Sequence, residues 1–464
     1  MRKIRIQKIF YLIALVALGA CNNEDQNPPP VDPGSEVAVN RWIQEVMDQV
    51  YFWLDDMRTP VAETSAPEDY FESLLFRPTD RFSAIYPDYQ ELINSLNGVT
   101  LESGYEFILF RESQNSDNVI AEITYIKKNS PAESAGLRRG DIIRTINGQQ
   151  MTADNFQEVL DDISSTHTVN FLRFNEEAEI FEDQGEVELD AIQLAEDPNF
   201  LDTIYTVDDQ KIGYVVYHFF APGPGSGSTA YDQEMDAIFA KFKAESINHL
   251  IVDFRYNGGG FVSSAVNLAS LIAPGVTQND IFSKTKYNSF LSGFDDFQNV
   301  QTPFRTKAQN LGNILSGNRV YILTSSRTAS ASELIINGLR PYMDVFLIGD
   351  VTTGKNVGSI PFEDEENPQN TYGILPIVTQ SANSQDESDY TNGFTPNITA
   401  REVEERLKPF GDINELLLRT AIAEITGQSP SDRINKLSRS DLGSTLDHKV
   451  RTGRMIENIK FEKN

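Results

Sequence analysis

The stretch "RVYILTSSRTASASELIINGLR", residues 319–340, joins an apolar run to a knot of small hydroxyl residues and then to a second apolar run. "RVYILTS" reads as a buried strand and "SELIINGLR" as a helix, with Ser330 at their junction. Twenty-five residues further on, Lys355 stands alone in "TTGKNVG". Ser330-Ala-Ser-Glu333 is also an S-x-x-E capping box, and such boxes open helices without doing chemistry. The flanks ask for more than a cap. A hydroxyl between a buried strand and a helix N-terminus sits where the helix dipole favours developing negative charge. Ala331 adds a backbone N–H without side-chain bulk, which is half of an oxyanion hole.

Outward from this junction the pattern is strand and helix in alternation, from about residue 186 to 427. "KIGYVVYHFF", "HLIVDFR" and "VFLIGD" are further strands, and "YDQEMDAIFAKFKAE" and "SSAVNLASLIA" are helices, so an α/β sheet with covered faces is expected. After the second strand comes "DFRYNGGG". Its successive glycines let a backbone approach a ligand closely and expose N–H groups, so Gly258 or Gly259 is a candidate for the second oxyanion donor.

A base for Ser330 is then sought. The chain has four histidines, and none lies in a triad-like signature; His218 is the weak candidate. G-x-S-x-G and H-E-x-x-H are both absent. Lysine is the available base, as in Ser-Lys variants of the triad. Gly349 to Lys355 also fits the P-loop pattern. Asn356 stands where that loop needs Ser or Thr, however, and Gly358 and Pro361 forbid the helix that should follow.

Residues 99–185 alternate like strands and contain "NSPAESAGLRRGDIIRTINGQQM". Pro131 starts a helical turn, Gly136 and Gly140 suit positive-φ turns, and Asn147-Gly148 is a hairpin signal. This order resembles a PDZ domain. Residues 37–98 have helical spacing, with Trp42, Val46 and Val50 recurring at fours.

Residues 1–20 form a basic start followed by the apolar run "IFYLIALVALGA", too short to span a membrane as a mature helix. Leu18-Gly19-Ala20-Cys21 resembles the bacterial lipoprotein signal, and Cys21 is the only cysteine. Lipidation at Cys21 is expected, intrachain disulfides are excluded, and Asn22 at the next position suggests an outer membrane, with the membrane face left open. Residues 21–36 read as a polar tether. Residues 428–464 are polar and mixed in charge and carry no assignment. Their end, "FEKN", is too polar to be expected as the chain's own PDZ ligand.

The formal net charge is −29, and residues 1–20 hold four of the 39 basic residues and no acid. So acidic a surface repels nucleic acid and anionic lipid alike, and the membrane is reached through the lipid anchor.

"TASASE", the lysine of "TGK", "DFRYNGGG" and a PDZ-like region before them together resemble the C-terminal processing (tail-specific) peptidase family, over roughly residues 37–427. "DRFS", Asp80 to Ser83, resembles a segment that precedes the PDZ domain there. The resemblance implies a multidomain α+β chain: a helical N-terminal domain, a β-rich PDZ domain and a crotonase/ClpP-like α/β catalytic domain. It implies Ser330 as nucleophile, Lys355 as base and Ala331 with Gly258 or Gly259 as oxyanion donors. Two positions depart from the family pattern. Ser359 stands where a glutamine often orients the lysine, and it is the substitute expected to hydrogen-bond the amine. The carboxylate loop of the PDZ domain reads Gly104-Tyr105-Glu106-Phe107, with Glu106 in place of glycine. The activity implied is serine endopeptidase, without metal or nucleotide, on polypeptides with free C-termini. The rival is a catalytically inactive PDZ-type envelope lipoprotein that only binds peptides.

Overall fold

The computed structural model describes residues 2–5, 31–113, 115–428, 437, 439, 441–457 and 459–462. Cys21 and the tether up to residue 30 lie outside them, and residues 2–5 run parallel to 459–462.

The N-terminal region is helical because its apolar residues fall at i, i+4 and i+8. In Glu36–Val50, capped by Ser35, the buried positions include Val39, Ile43 and Met47. Pro67–Leu74 packs against that helix, and Tyr89–Leu96 starts at an Asp88 cap. The short strand Ala84–Tyr86 pairs antiparallel with Gly373–Leu375, which docks this region on the catalytic domain.

The second region is a sheet in which Tyr105–Arg111, Val119–Ile126, Ile142–Ile146, His167–Asn175 and Ile180–Leu189 lie side by side. Gly136 and Gly140 have φ of +78° and +87°, and Asn147 and Gly148 both have positive φ, as their turns require. Gln149–Gln150 pairs with Ile142–Ile146 across the Asn147-Gly148 turn, and the sheet edge carries a strand that the periodicity did not mark. Asp441–Ser444, from the tail, pairs antiparallel with Tyr105–Arg111 at the sheet edge.

The third region holds two sheets. In the first, Gln210–Tyr217, His249–Asp253, Arg319–Thr324 and Asp344–Gly349 run parallel. The helices Ala230–Ala244, Val262–Ile272 and Ala331–Leu339 cover one face and Leu416–Thr426 the other, each burying its own apolar core. In the second sheet the order is Gly259–Phe261, Arg454–Ile456, Val357–Ser359, Ile377–Ala382, Ile281–Lys286 and Val300–Pro303. The tail is therefore not an appendage. Its strand Arg454–Ile456 lies inside the catalytic domain, parallel to both neighbours.

Candidate active site

The strand Arg319–Thr324 delivers the chain to a tight loop before the helix at Ala331. Thr328 fixes that loop: its hydroxyl accepts from Ser325 N–H (2.9 Å) and donates to Phe254 O (2.8 Å). Ser330 follows with φ +64° and ψ −114°. A non-glycine residue held there costs about 1–3 kcal/mol, and such strain persists where neighbours over-determine it. The Ser330 hydroxyl is fully buried and has no hydrogen-bond partner among the described residues.

Asn257 ties the glycine loop to the serine. Its backbone carbonyl accepts from Ala329 N–H (3.1 Å) and from the Ser332 hydroxyl (3.0 Å), and its Oδ1 accepts from Gly259 N–H (2.9 Å). Gly259 has φ +112°, and a Cβ there would stand 2.7 Å from Ser330 Cβ and 2.4 Å from Arg454 O. Glycine is required by backbone and by space. The N–H groups of Gly258 and Ala331 make no backbone hydrogen bond among the described residues. Of the two glycines expected to offer a donor, Gly259 has its N–H engaged by Asn257 Oδ1, while Gly258 N–H has no partner among the described residues.

Lys355 is brought to the same place by the loop that follows Asp344–Gly349, and a strand rather than a helix comes after it. That removes the phosphate-loop alternative. The side chain is fully buried, with Nζ 4.6 Å from the centre of the Phe82 ring, and it donates to Gly453 O. Burial first, then the Arg454 guanidinium, hold its ammonium well below the usual lysine range, and the charges of Asp80 and Glu333 offset this only in part. Phe82 is positioned by Asp80, whose buried carboxylate accepts from Phe82 N–H and Ser83 N–H, both at 2.9 Å. The "DRFS" segment thus supplies an apolar wall to the lysine.

The expected bond from Ser359 to the lysine is not made. Its hydroxyl is buried without a hydrogen-bond partner among the described residues, and its carbonyl accepts from Glu457 N–H (3.1 Å). Glu333 instead spans the site. Oε2 accepts from the backbone N–H of Ser330 and of Lys355, both at 2.8 Å, and Oε1 accepts from the Thr352 hydroxyl and Gly354 N–H, both at 2.6 Å. One carboxylate therefore fixes serine loop and lysine loop together.

His218 is stacked on Phe200, packs at a tilt against Tyr125 and lies 3.6 Å from Glu196, and burial lowers its basicity. It belongs to an aromatic cluster beside the PDZ domain rather than to the Ser330–Lys355 cleft. In the PDZ loop, Gly104 (φ +85°) abuts Ser130, and Tyr105 OH bonds His167 Nε2 (2.8 Å). Glu106 turns inward into a buried cluster, 2.8 Å from Lys127 Nζ and 3.1 Å from Lys449 Nζ. Phe107 N–H is already donated to the Thr445 hydroxyl (3.0 Å).

Comparison with known proteins agrees with this architecture. Residues 38–84 match the model of the peptidase S41 N-terminal domain, 122–174 that of a PDZ domain, and 211–400 that of peptidase family S41. A solved S41 protease structure from Bacteroides fragilis is 28% identical, covers 87% of this chain and 99% of its own, and superposes with a TM-score of 0.70. The chain belongs to peptidase family S41. Among curated relatives, a CtpA-like serine protease of Staphylococcus haemolyticus is 22% identical over 53% of this chain, and one of Staphylococcus aureus is 24% identical over 51%. The chain spans less than half the length of these relatives, 44% and 42%.

Three contributors to the site of this S41 member had no site role assigned from the sequence: Glu333 as a bridge, Asn257 as an anchor and Gly453 as a partner of the lysine. Glu333 carried a signal, since it completes the capping box. Gly453 lies 98 residues from Lys355 and carried none.

Proposed function

We propose that the protein is a serine endopeptidase of the cell envelope that cleaves polypeptides through a Ser330–Lys355 dyad, near C-termini presented by its PDZ domain. The observation that carries this reading is a fully buried serine and a fully buried lysine whose backbone N–H groups share Glu333 Oε2, with burial holding the lysine's ammonium down. A neutral amine accepts the Ser330 proton as Oγ attacks the scissile carbonyl. The resulting oxyanion is held by the N–H groups of Ala331 and Gly258 at the start of the Ala331–Leu339 helix. Lys355 returns the proton to the leaving amine, and water then resolves the acyl-enzyme by the same proton path. The family relationship and the S41 protease from Bacteroides fragilis support the peptidase class.

A fluorophosphonate probe, with the labelled peptide mapped by mass spectrometry, tests the assignment. Labelling at Ser330, lost in Ser330→Ala, is the expected result. Failure to label under any condition that opens the cleft would leave the peptide-binding scaffold as the better reading. Anchoring through Cys21 is part of the same proposal and rests on Leu18-Gly19-Ala20-Cys21. Cys21→Ala should move the protein from the detergent phase to the aqueous phase on phase partition, and unchanged partition would refute it.

A further inference from the structure

Residues 441–457 run unbroken from the PDZ edge to the Ser330–Lys355 cleft and fill both. At the PDZ end, Ser444 faces Ile108, Gly443 faces Leu109 and Asp441 faces Phe110 on the strand that follows the Gly104 loop. The Ser444 hydroxyl donates to Phe107 O (2.7 Å), and Thr445 takes the Phe107 N–H. Leu442 packs on the apolar core of the PDZ domain. The antiparallel pairing and the apolar contact are what an added peptide strand would make, and the two hydroxyl bonds are particular to Ser444 and Thr445.

At the cleft, Arg454–Ile456 lies between the strand after the glycine loop and the strand after Lys355. Met455 is fully buried in the catalytic core, and Ile456 sits with Leu92, Leu96 and Leu375. Arg454 donates to Phe82 O, and Glu457 N–H donates to Ser359 O. The amine of Lys355 is bonded to Gly453 O while the Ser330 hydroxyl has no partner. A base acts only on a proton within hydrogen-bond reach, so in this arrangement the tail holds the base.

Charge fastens the link between the two ends. Lys449 and Arg451 enter the buried cluster of Glu102, Glu106, Glu196 and Lys127, giving three cations to three anions. Arg327, three residues before Ser330, pairs with Asp441 (2.7 Å) and Asp447 (2.9 Å).

We propose that residues 441–457 are an intramolecular substrate mimic that keeps the enzyme latent until an extended polypeptide, adding to the Tyr105–Arg111 edge and carrying apolar side chains for the cleft, displaces it. The occupancy stands on geometry alone; the latency rests on the peptidase reading above. Only one extended strand fits at each position, so substrate and strap exclude one another. Gly453 and Arg454 are the strap residues against the dyad loops, and Met455 and Ile456 seat beside them in apolar cores.

The test separates occupancy from catalysis. In a Ser330→Ala chain, a fluorescein-labelled peptide of sequence 441–457 should bind at least tenfold more tightly when Leu442→Asp is added, because the carboxylate cannot rest on the PDZ core. A second chain, Ile108→Cys with Ser444→Cys in a Cys21→Ser background, should lose all binding of the peptide when oxidised and regain it on reduction. This variant keeps the test decisive if Leu442→Asp does not fold. In chains retaining Ser330, fluorophosphonate labelling should rise at least tenfold with Leu442→Asp and vanish in the oxidised pair. Peptide binding that is indifferent to both changes overturns the inference, whatever the labelling shows. Binding that responds while Ser330 never labels supports the strap and overturns the peptidase reading instead.

Discussion

Glu333→Gln isolates the bridge between the serine and lysine loops. The carboxylate faces four donors, two on each oxygen, and has no donor of its own, so it stands ionised. Glutamine keeps one oxygen and turns an NH2 group toward the other pair, so either amide orientation breaks two bonds. Bonds to a charged acceptor contribute about 1.5–3 kcal/mol each, and losing two costs roughly 3–6 kcal/mol. The gain from no longer burying a charge offsets part of this, since burial already pushes the Glu333 carboxyl up. With Gln Nε2 facing Ser330 and Lys355, their two N–H groups are the ones left unpaired, and the loops they fix separate. Turnover of an unfolded protein substrate should fall at least tenfold, or about 1.4 kcal/mol, with the far-ultraviolet dichroism unchanged. A second readout is specific to charge. The Glu333 carboxylate raises the Lys355 pKa, so removing it lets the amine lose its proton at lower pH, and the rising limb of the pH–rate profile should move toward acid. A variant with wild-type turnover and an unmoved profile would refute the bridging role.

Lys355→Arg should abolish turnover, because guanidinium stays protonated and cannot act as a base; wild-type activity should rise with pH on one ionisation below the usual lysine value, and a turnover-competent Arg variant would refute the lysine as base. Gly259→Ala should cost at least a hundredfold in turnover, since the added Cβ meets both Ser330 Cβ and Arg454 O at a backbone φ of +112°; near-normal rates would mean that the loop relaxes freely. Burial pushes the Glu457 carboxyl up to about 7 from 4.5, against a weaker opposing bond from Thr379, and a released strap would return it to the ordinary value. The strapped form holds the extra proton, so strap stability falls by about 3 kcal/mol as pH rises from about 4.5 to about 7 and is level beyond. Amide exchange of residues 441–457, corrected for intrinsic rates, should accelerate across that window in the wild type and not in Glu457→Gln.

The residues fall into two kinds by how their burial is achieved. The parallel strands, the Ala331–Leu339 helix and the PDZ turns were legible because each segment's apolar or glycine pattern answers to its own backbone geometry. Ser330 and Lys355 were legible through their spacing and neighbours. Ser359 was not, because its strand pairs with Ile377 and Ile456 in a register no local pattern encodes, and its hydroxyl makes no bond to the amine. The tail was hidden most deeply. "DLGSTLDHKVRTGRMIE" is polar, mixed in charge and without a periodicity to assign, yet Lys449 and Arg451 enter the interior because Glu102, Glu106 and Glu196, more than 250 residues earlier, await them. Taking away one partner from such a cluster costs about 3–5 kcal/mol, far more than the intact cluster contributes over apolar packing. A strap fastened by paired charges therefore holds firmly while seated, and apolar pairing would have held it as well. What charge adds is selectivity: a displacing polypeptide that lacks cations at these positions leaves Glu102, Glu106 and Glu196 facing Lys127 alone. Polypeptides that bring a basic residue to the stretch between PDZ edge and cleft restore that balance, and they are the ones that displace the strap most readily.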